Sequence, residues 1–320
     1  MTRTHGVAVI GLGAIGRRML TNMPEQGRLE IVGGWDLSGT ARDAALRDFP
    51  DIAVASSAEA LIGSAAVDVV YVGVPPAAHA GYVRAAIAAG KAVFCEKPLG
   101  IDTAESRALV EEMEASRLPQ AVNLSLASAR GVARMREALS DGSLGRIAGA
   151  DIRLHFGRWP RAWQAEATWL GERAEGGFTR EVATHFVYLA EALLGPGRLV
   201  SASARYPDAP AAETHALARL DHDGVPVTYA GSSGGAGPDL VEFTLWGSER
   251  SMRLTDFYRL RESGGDDWEE VYPEIGNPAL DAYMLQLDAL VTMLDGGETV
   301  LPGFADALRV QEIVEAILAS

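Results

Sequence analysis

The sequence has little cysteine, little basic charge and no long apolar run. Its 320 residues contain one cysteine, Cys95, which excludes an internal disulfide and any metal site built on several cysteines. The formal net charge is −15, and the lack of a basic surface argues against nucleic acid or an anionic membrane as a partner. No apolar run approaches the roughly 18 residues of a membrane helix, and the first predicted strand begins too early for a signal peptide. We therefore expect a cytoplasmic protein without a membrane partner.

The remaining composition is typical of a globular protein, with 48% hydrophobic and 22% charged residues. A chain of 320 residues is long for one core, so two domains are predicted. The six histidines have neither the H-x-x-x-H spacing nor the cysteine partners of a metal site. We expect no metal.

The first functional motif lies near the N-terminus. An apolar strand leads into Gly11-Leu12-Gly13-Ala14-Ile15-Gly16, a G-x-G-x-x-G turn that is followed by a helical pattern. The first glycine suits the tight turn, the second the approach of a pyrophosphate, and the third close packing of the helix on the strand. The free N–H groups and the dipole of the helix start favour the anion. The motif predicts a dinucleotide site.

A second predicted strand ends at Asp36, where a carboxylate can accept hydrogen bonds from the adenosine ribose hydroxyls. This carboxylate favours NAD because it repels the 2′-phosphate of NADP. Ser38 and Arg42 follow closely and could accommodate that phosphate, so NADP stays open as the alternative cofactor.

Strands and helices alternate up to about residue 123, which is typical of a doubly wound parallel sheet with helices on both faces. Beyond it, β runs joined by Gly-, Pro- and Asp-rich turns predict an open, mostly antiparallel sheet. We predict a Rossmann domain at 1–123 and a substrate-binding and oligomerisation domain at 124–320. The final helix, about 304–319, could pack back on the first domain.

The second motif is Glu96-Lys97-Pro98, at the end of a predicted strand of the parallel sheet. Ligands of open α/β sheets bind along that edge, so Lys97 could reach the atom that is oxidised. Taken alone, the motif is equally typical of a solvated turn.

Taken together, the motifs resemble the glucose-fructose oxidoreductase, inositol dehydrogenase and rhizopine-catabolism (Gfo/Idh/MocA) family of nicotinamide-dependent oxidoreductases. The resemblance is carried, in chain order, by the glycine-rich turn, Val74-Pro75-Pro76 with His79, Ala89-Gly90-Lys91-Ala92-Val93 before Glu96-Lys97-Pro98, Gly142-Ser143-Leu144-Gly145-Arg146-Ile147, and Gly176-Gly177 with His185.

The resemblance implies a Rossmann domain followed by an α/β domain with an open, mostly antiparallel sheet, through which such chains assemble into homodimers or homotetramers. It implies that Val74, Pro75, His79 and Glu96 belong to the cofactor site. It also implies that Lys97 contacts both the substrate hydroxyl and the nicotinamide, with a cis peptide bond before the proline that follows it.

A helix predicted from Phe178 to Leu194 carries Glu181 and His185 four residues apart, on one face. A carboxylate one turn away can fix the tautomer of an imidazole, and histidine suits acid–base chemistry near neutral pH. Such a pair is also common on ordinary helices. The corresponding family segment usually reads D-x-G-x-H, and this chain departs from it at Glu181 and at Ala183.

We expect His185 to act as the base, Lys97 to stabilise the developing alkoxide, and Glu181 to orient His185. The expected substrate contacts are Lys97, Trp163, Arg180 and His185. Further lining comes from the irregular stretch that precedes the predicted helix and contains Trp163. This stretch also includes Arg158, Trp159 and Arg161. Taken alone, each of these arginines is more typical of a solvated surface charge, and each of these tryptophans of a packing residue.

This pattern predicts hydride transfer between a nicotinamide and a secondary alcohol or ketone of a polyhydroxylated small molecule, such as a sugar, a cyclitol or a sugar acid. Two alternatives stay open: a reductase of another carbonyl or imine substrate, and a non-catalytic NAD(P)-binding regulator.

Overall fold

The structure is a computed structural model that describes residues 3–320. The chain forms two compact units. One contains the chain up to Leu124 together with Met284–Leu308, and the other contains Ser125–Tyr283 and Arg309–Ser320.

The first unit is built on a five-stranded parallel sheet with the order β2-β1-β3-β4-β5. The strands are β1 (His5–Ile10), β2 (Leu29–Trp35), β3 (Val69–Val72), β4 (Ala92–Cys95) and β5 (Gln120–Val122). Every residue of β3 and β4 is buried, as expected for strands covered on both faces. The strand order reverses between β1 and β3, and the carboxyl edge at this point is where such sheets bind ligands. The predicted doubly wound parallel sheet is confirmed.

Helices connect these strands: α1 (Ala14–Glu25), α2 (Gly39–Asp48), α3 (Ala58–Ile62), α4 (His79–Ala88) and α5 (Thr103–Ser116). Their starts follow from capping residues. The Ser57 side chain accepts a hydrogen bond from the Ala60 N–H before α3, and the Asp102 side chain accepts from two N–H groups of α5. Between α2 and α3 the chain adds no full strand: it meets the edge of the sheet at one bridge, between Gly34 and Val54.

Residues 284–308 join this unit through the edge strand β5. The Val122 N–H donates to Pro302 O at 2.9 Å, and the Phe304 N–H donates to Gln120 Oε1 at 2.7 Å. The division therefore differs from the predicted boundary at residue 123, because residues 284–308 belong to the first unit. They include the first residues of the final helix, for which packing on the first domain was the open alternative.

The second unit contains an eight-stranded sheet with the order β13-β12-β11-β10-β6-β9-β8-β7. Its strands are β6 (Ile147–Phe156), β7 (Arg198–Arg205), β8 (His215–His222), β9 (Val225–Ser233), β10 (Leu240–Gly247), β11 (Ser251–Thr255), β12 (Arg259–Ser263) and β13 (Glu269–Glu270). All neighbouring strands are antiparallel except β6 and β9, which confirms the mostly antiparallel sheet. Buried and exposed residues alternate along β8, so the sheet has one core face and one exposed face.

The remaining α-helices are α6 (Arg130–Ser140), α7 (Thr184–Leu194), α8 (Pro278–Leu294) and α9 (Phe304–Leu318). The helix predicted from residue 178 onward is not α-helical throughout: a π-helical turn spans Thr179–Ala183, and α7 begins directly after it. Within residues 3–320, no helix combines the length and the apolar character needed to cross a lipid bilayer.

Candidate active site

The glycine-rich turn between β1 and α1 is held by close backbone contacts. Gly11 has a φ of +101°, and a Cβ at this position would lie 2.3 Å from the carbonyl oxygen of Gly73. A Cβ at Gly16 would lie 1.9 Å from the carbonyl oxygen of Gly11. Side chains are therefore excluded at both positions, as the motif predicts.

Gly13 differs from these two glycines because it faces open space. It is exposed, and a Cβ there would meet no other described atom within 4 Å. The N–H groups of the first helical turn, starting at Ala14, have no intrahelical acceptors, and the described helix carries no acidic residue in that turn. A diphosphate fits this cradle, because the N–H groups and the helix dipole both favour an anion.

Asp36 is fixed at the end of β2 by two backbone hydrogen bonds. Its Oδ2 accepts from the Leu12 N–H at 2.8 Å, and its Oδ1 accepts from the Ser38 N–H at 2.8 Å. Each carboxylate oxygen can accept a second hydrogen bond. The carboxylate is thus tied to the glycine-rich turn and keeps acceptor capacity for ribose hydroxyls.

The two groups that could favour NADP are both engaged in the local turn. Arg42 Nη1 donates to the carbonyl oxygens of Asp36 at 2.5 Å and Leu37 at 3.2 Å. Ser38 Oγ accepts a hydrogen bond from the Ala41 N–H at 3.3 Å and caps α2. These contacts favour NAD, since they stabilise the turn around the Asp36 carboxylate.

The Glu96-Lys97-Pro98 segment follows β4 at the same carboxyl edge of the sheet. Glu96 Oε1 accepts hydrogen bonds from Tyr71 Oη at 2.6 Å and Asn123 Nδ2 at 2.5 Å, which fixes the carboxylate between β3 and β5. The Lys97–Pro98 peptide bond is cis, as the resemblance implies. Lys97 is half-buried at this edge.

His79 has a different position from the predicted cofactor contact. It is 0% exposed, with Nε2 2.8 Å from Val74 O and Nδ1 3.0 Å from Pro98 O. Burial lowers the pKa of this imidazole. A side chain without exposed surface cannot contact a bound cofactor, so we assign His79 to connecting the loops that follow β3 and β4. Val74 and Pro75 keep accessible surface on the first of these loops.

In the second unit, Glu181 lies within the π turn and is oriented by a buried amide. Gln164 is 5% exposed; its Nε2 donates to Glu181 Oε1 at 3.0 Å, and its Oε1 accepts from Arg161 Nε at 2.9 Å. His185 is 9% exposed, and its ring meets the ring of Phe257 edge-on at a centroid distance of 5.8 Å. Because the π turn is wider than an α turn, the predicted α-helical spacing of Glu181 and His185 is altered.

Trp159 and Trp163, in the irregular stretch before the π turn, have different environments. Trp159 packs on Phe156 and donates its indole N–H to Leu170 O at 2.9 Å, which makes it a structural residue. Trp163 is 51% exposed, and the Arg161 guanidinium lies 4.9 Å from the centre of its ring. Trp163 therefore offers an aromatic face to a ligand.

Arg180 has a structural role instead of the predicted substrate contact. Its Nε and Nη2 donate to the Glu315 carboxylate at 2.6 and 2.8 Å, and its Nη1 donates to the carbonyl oxygens of Arg173 and Gly176. The residue is 8% exposed. Four contacts within the second unit occupy the guanidinium, which leaves little of it for a substrate.

One buried acid was missed by the sequence analysis. Glu213 precedes β8, is 2% exposed, and accepts a hydrogen bond from the Thr179 N–H at 2.7 Å. It lies 34 residues from Thr179 in the sequence, so no local pattern could indicate the contact. In the described part of the chain, no group of three or more His, Cys, Asp or Glu side chains could hold a metal ion.

Comparisons with known proteins agree with this architecture. Inositol 2-dehydrogenase of Gluconacetobacter diazotrophicus is 34% identical over 148 residues, 45% of this chain and 44% of that protein. Inositol 2-dehydrogenase of Acidiphilium cryptum is 40% identical over 111 residues, 34% of this chain and 33% of that protein. The matches thus span less than half the length of these curated relatives.

Among solved structures, a levoglucosan dehydrogenase in complex with NADH and levoglucosan superposes with a TM-score of 0.87 at 21% identity, covering 99% of this chain and 97% of that one. At this identity the likeness shows the fold. Residues 5–123 match the family described as an oxidoreductase family with an NAD-binding Rossmann fold, and residues 136–320 match the C-terminal alpha/beta domain of that family. The chain therefore belongs to the Gfo/Idh/MocA oxidoreductase family, with an NAD-binding Rossmann domain at its N-terminal end.

Proposed function

We propose that the protein is an NAD-dependent oxidoreductase that transfers a hydride between the nicotinamide and a secondary alcohol or ketone carbon of a sugar, cyclitol or sugar-acid-like substrate. The observation that carries this proposal is the position of Lys97. It follows β4 on the carboxyl edge of the parallel sheet, the edge from which the glycine-rich turn and Asp36 also extend. The names of the relatives, two inositol 2-dehydrogenases, support a polyhydroxylated substrate.

The roles of the residues follow from the needs of alcohol oxidation. The bound nicotinamide would supply the hydride acceptor. The Lys97 ammonium stabilises the negative charge that develops on the substrate oxygen as its proton leaves. His185 takes this proton as a general base and returns it in the reverse direction. These roles require Lys97 and His185 to meet at one substrate carbon, which is the central prediction of the proposal.

The remaining assigned residues bind and orient. The glycine-rich turn and Asp36 hold the pyrophosphate and the adenosine ribose. Glu181, with its carboxylate fixed by Gln164, orients His185. Trp163 packs its exposed ring against the apolar face of the substrate ring, since aromatic rings bury much area there without requiring a charged ligand.

We also infer that the chain forms a homodimer or homotetramer through the exposed face of the eight-stranded sheet. Leu217 on β8 is 56% exposed and Trp246 on β10 is 37% exposed, and the strand register puts both on this face. Exposed apolar groups on a sheet face favour association. Light scattering after size exclusion should give a multiple of the 33.9 kDa chain mass, and a monomer at micromolar concentration would refute this inference.

The catalytic proposal is tested with purified protein, NAD+ and a panel of cyclitols, sugars and sugar acids that begins with myo-inositol. We expect NAD+ to bind and at least one compound to reduce it, seen as absorbance of the reduced nicotinamide. Tight NAD+ binding without turnover of any compound would contradict an oxidoreductase of polyols and favour a cofactor-binding regulator.

A further inference from the structure

The helical segment that carries Glu181 and His185 starts without a local cap. The residue before the π turn is Phe178, whose side chain cannot accept a hydrogen bond. The first N–H groups of a helical segment have no partner inside it and need acceptors from elsewhere. Phe178 and Thr179 are both 0% exposed, so bulk water cannot serve as that acceptor.

Glu213 supplies the missing acceptor. Its Oε1 accepts the Thr179 N–H at 2.7 Å, and the Thr179 hydroxyl oxygen lies 3.0 Å from Tyr229 Oη. Glu213 and Tyr229 are 2% and 1% exposed. A buried carboxylate is costly unless its oxygens are hydrogen-bonded, and here the hydrogen bond goes to the start of the helical segment.

The chain around Glu213 is itself fixed by backbone hydrogen bonds. The Ala212 N–H donates to Gly171 O at 2.8 Å, and the Arg173 N–H donates to Pro210 O at 2.8 Å. These contacts hold the segment before β8 against the loop that leads into the π turn. The carboxylate is therefore presented to Thr179 from a rigid position.

Gly177 makes room for this carboxylate. Its φ is +99°, and a Cβ at this position would lie 2.1 Å from Glu213 Oε2. The Gly176-Gly177 pair that the sequence shows before the helix is thus explained in part by the acid that caps it. The glycine is visible in the sequence, but the contact with Glu213 that requires it is not.

We propose that Glu213 is a positioning residue: by capping the π turn at Thr179, it sets the orientation of Glu181 and His185. This inference rests on the proposed function, because it concerns the geometry of the proposed base. Glu213 does not touch the reacting groups in this scheme and acts through the helical segment.

The test compares Glu213→Ala and Glu213→Gln in the full-length protein. We expect Glu213→Ala to lower kcat by about ten- to a hundredfold, since small misplacements of a catalytic group have effects of this size, while the KM for NAD+ stays within about twofold. Glu213→Gln keeps an acceptor oxygen for the Thr179 N–H and should retain kcat within about threefold of wild type. An unchanged kcat in folded Glu213→Ala would overturn the proposal.

Glu191→Ala is the matched control. Glu191 lies in the C-terminal half of the same helical segment and is 9% exposed, and its carboxylate accepts hydrogen bonds from the Gly197 N–H and Arg309 Nε. Both Glu191→Ala and Glu213→Ala should lower the melting temperature. Glu191→Ala, however, should keep kcat within about threefold of wild type. Equal losses of kcat in the two variants would overturn a positioning role, because both would then reflect general destabilisation.

A second readout separates this inference from the proposed function. The NMR signals of the His185 ring, assigned with His185→Asn, report the environment of the imidazole even if no panel compound turns over. Glu213→Ala should shift these signals and Glu191→Ala should leave them unchanged; no shift in Glu213→Ala would overturn the proposal. If Glu213→Ala does not fold, Glu213→Asp takes its place, because its shorter side chain draws the carboxylate away from the Thr179 N–H. A shift of the His185 signals is expected, and no shift would count against the proposal.

Discussion

The two groups of candidate site residues are held in place by different means. In the first unit, the glycine-rich turn is fixed by backbone contacts between Gly11, Gly16 and Gly73. In the second unit, the segment with Glu181 and His185 is fixed by side chains, chiefly Glu213, Gln164 and the Arg180–Glu315 ion pair. A site fixed by close backbone contacts requires glycines, and these are visible in the sequence. A site fixed by side chains that are distant in the sequence has no local pattern.

The largest expected effects concern the proposed catalytic roles of Lys97 and His185. Lys97→Ala and His185→Ala should each lower kcat by about 10²- to 10⁴-fold, because each removes a group that acts on the transition state. The NAD+ dissociation constant, measured by fluorescence titration, should stay within about threefold. Wild-type turnover in either variant would remove that residue from the catalytic assignment.

Lys91→Ala is the matched lysine control for this prediction. Lys91 Nζ donates to Ser64 O at 2.9 Å and to Val67 O at 2.8 Å, so its charge serves local structure. The variant should lose some stability and keep its turnover.

The next largest effect separates two glycines of the same turn. Gly16→Ala puts a Cβ where Gly11 O stands 1.9 Å away, so it should reduce both stability, by about 1–3 kcal/mol, and NAD+ affinity. Gly13→Ala meets no neighbouring atom and should weaken NAD+ binding alone, by obstructing the pyrophosphate. Urea unfolding and NAD+ titration of both variants check this difference. Equal losses of stability would show that the turn is not held in the way described.

Much of the first unit could be predicted because its signals are local. The alternating apolar segments and the G-x-G-x-x-G spacing indicate a parallel sheet and its ligand edge, and the structure has both. The role of His79 could not be predicted in this way. The sequence indicates a histidine three residues after Pro76, but only the packing shows that it lies buried between Val74 O and Pro98 O.

In the second unit, the type of sheet could be predicted, but several individual elements could not. Its mostly antiparallel sheet followed from the turn-rich sequence, while the short strands β12 and β13 and the π turn did not. Arg180 shows the physical reason. The sequence around a cation near a candidate site does not distinguish a cation that faces a substrate from one that pairs with an acid 135 residues away. The choice is made by long-range packing, which one sequence does not display.

A smaller effect concerns the choice between NAD and NADP at Asp36 in the first unit. Asp36→Ser removes the carboxylate charge and keeps an acceptor for the Leu12 N–H, so NADP+ affinity relative to NAD+ should rise by about tenfold, or ~1.4 kcal/mol. Titration of both cofactors measures it. Asp43→Ser, which removes an exposed carboxylate of α2, is the control and should leave the ratio unchanged. An unchanged ratio in Asp36→Ser would mean that this carboxylate does not set the preference.

The smallest expected effect is a pH dependence of stability from His79. Burial lowers its pKa in the folded state below the ordinary value of about 6.5, so the unfolded chain takes up the proton first as the pH falls. The stabilising contribution of neutral His79 is therefore complete above about pH 6.5 and decreases below it. The free energy of unfolding of wild type should exceed that of His79→Gln most at neutral pH, with the difference narrowing toward pH 5. A difference that grows as the pH falls would contradict this assignment.

The most direct test of the central claim is the double variant Lys97→Ala/His185→Ala, compared with the two single variants in kcat/KM for one turned-over substrate. If both side chains act on the same substrate carbon, their effects are not independent, and the double variant should be within about fivefold of the worse single variant. Losses that multiply would show that the two residues act independently, and would contradict a shared reaction centre.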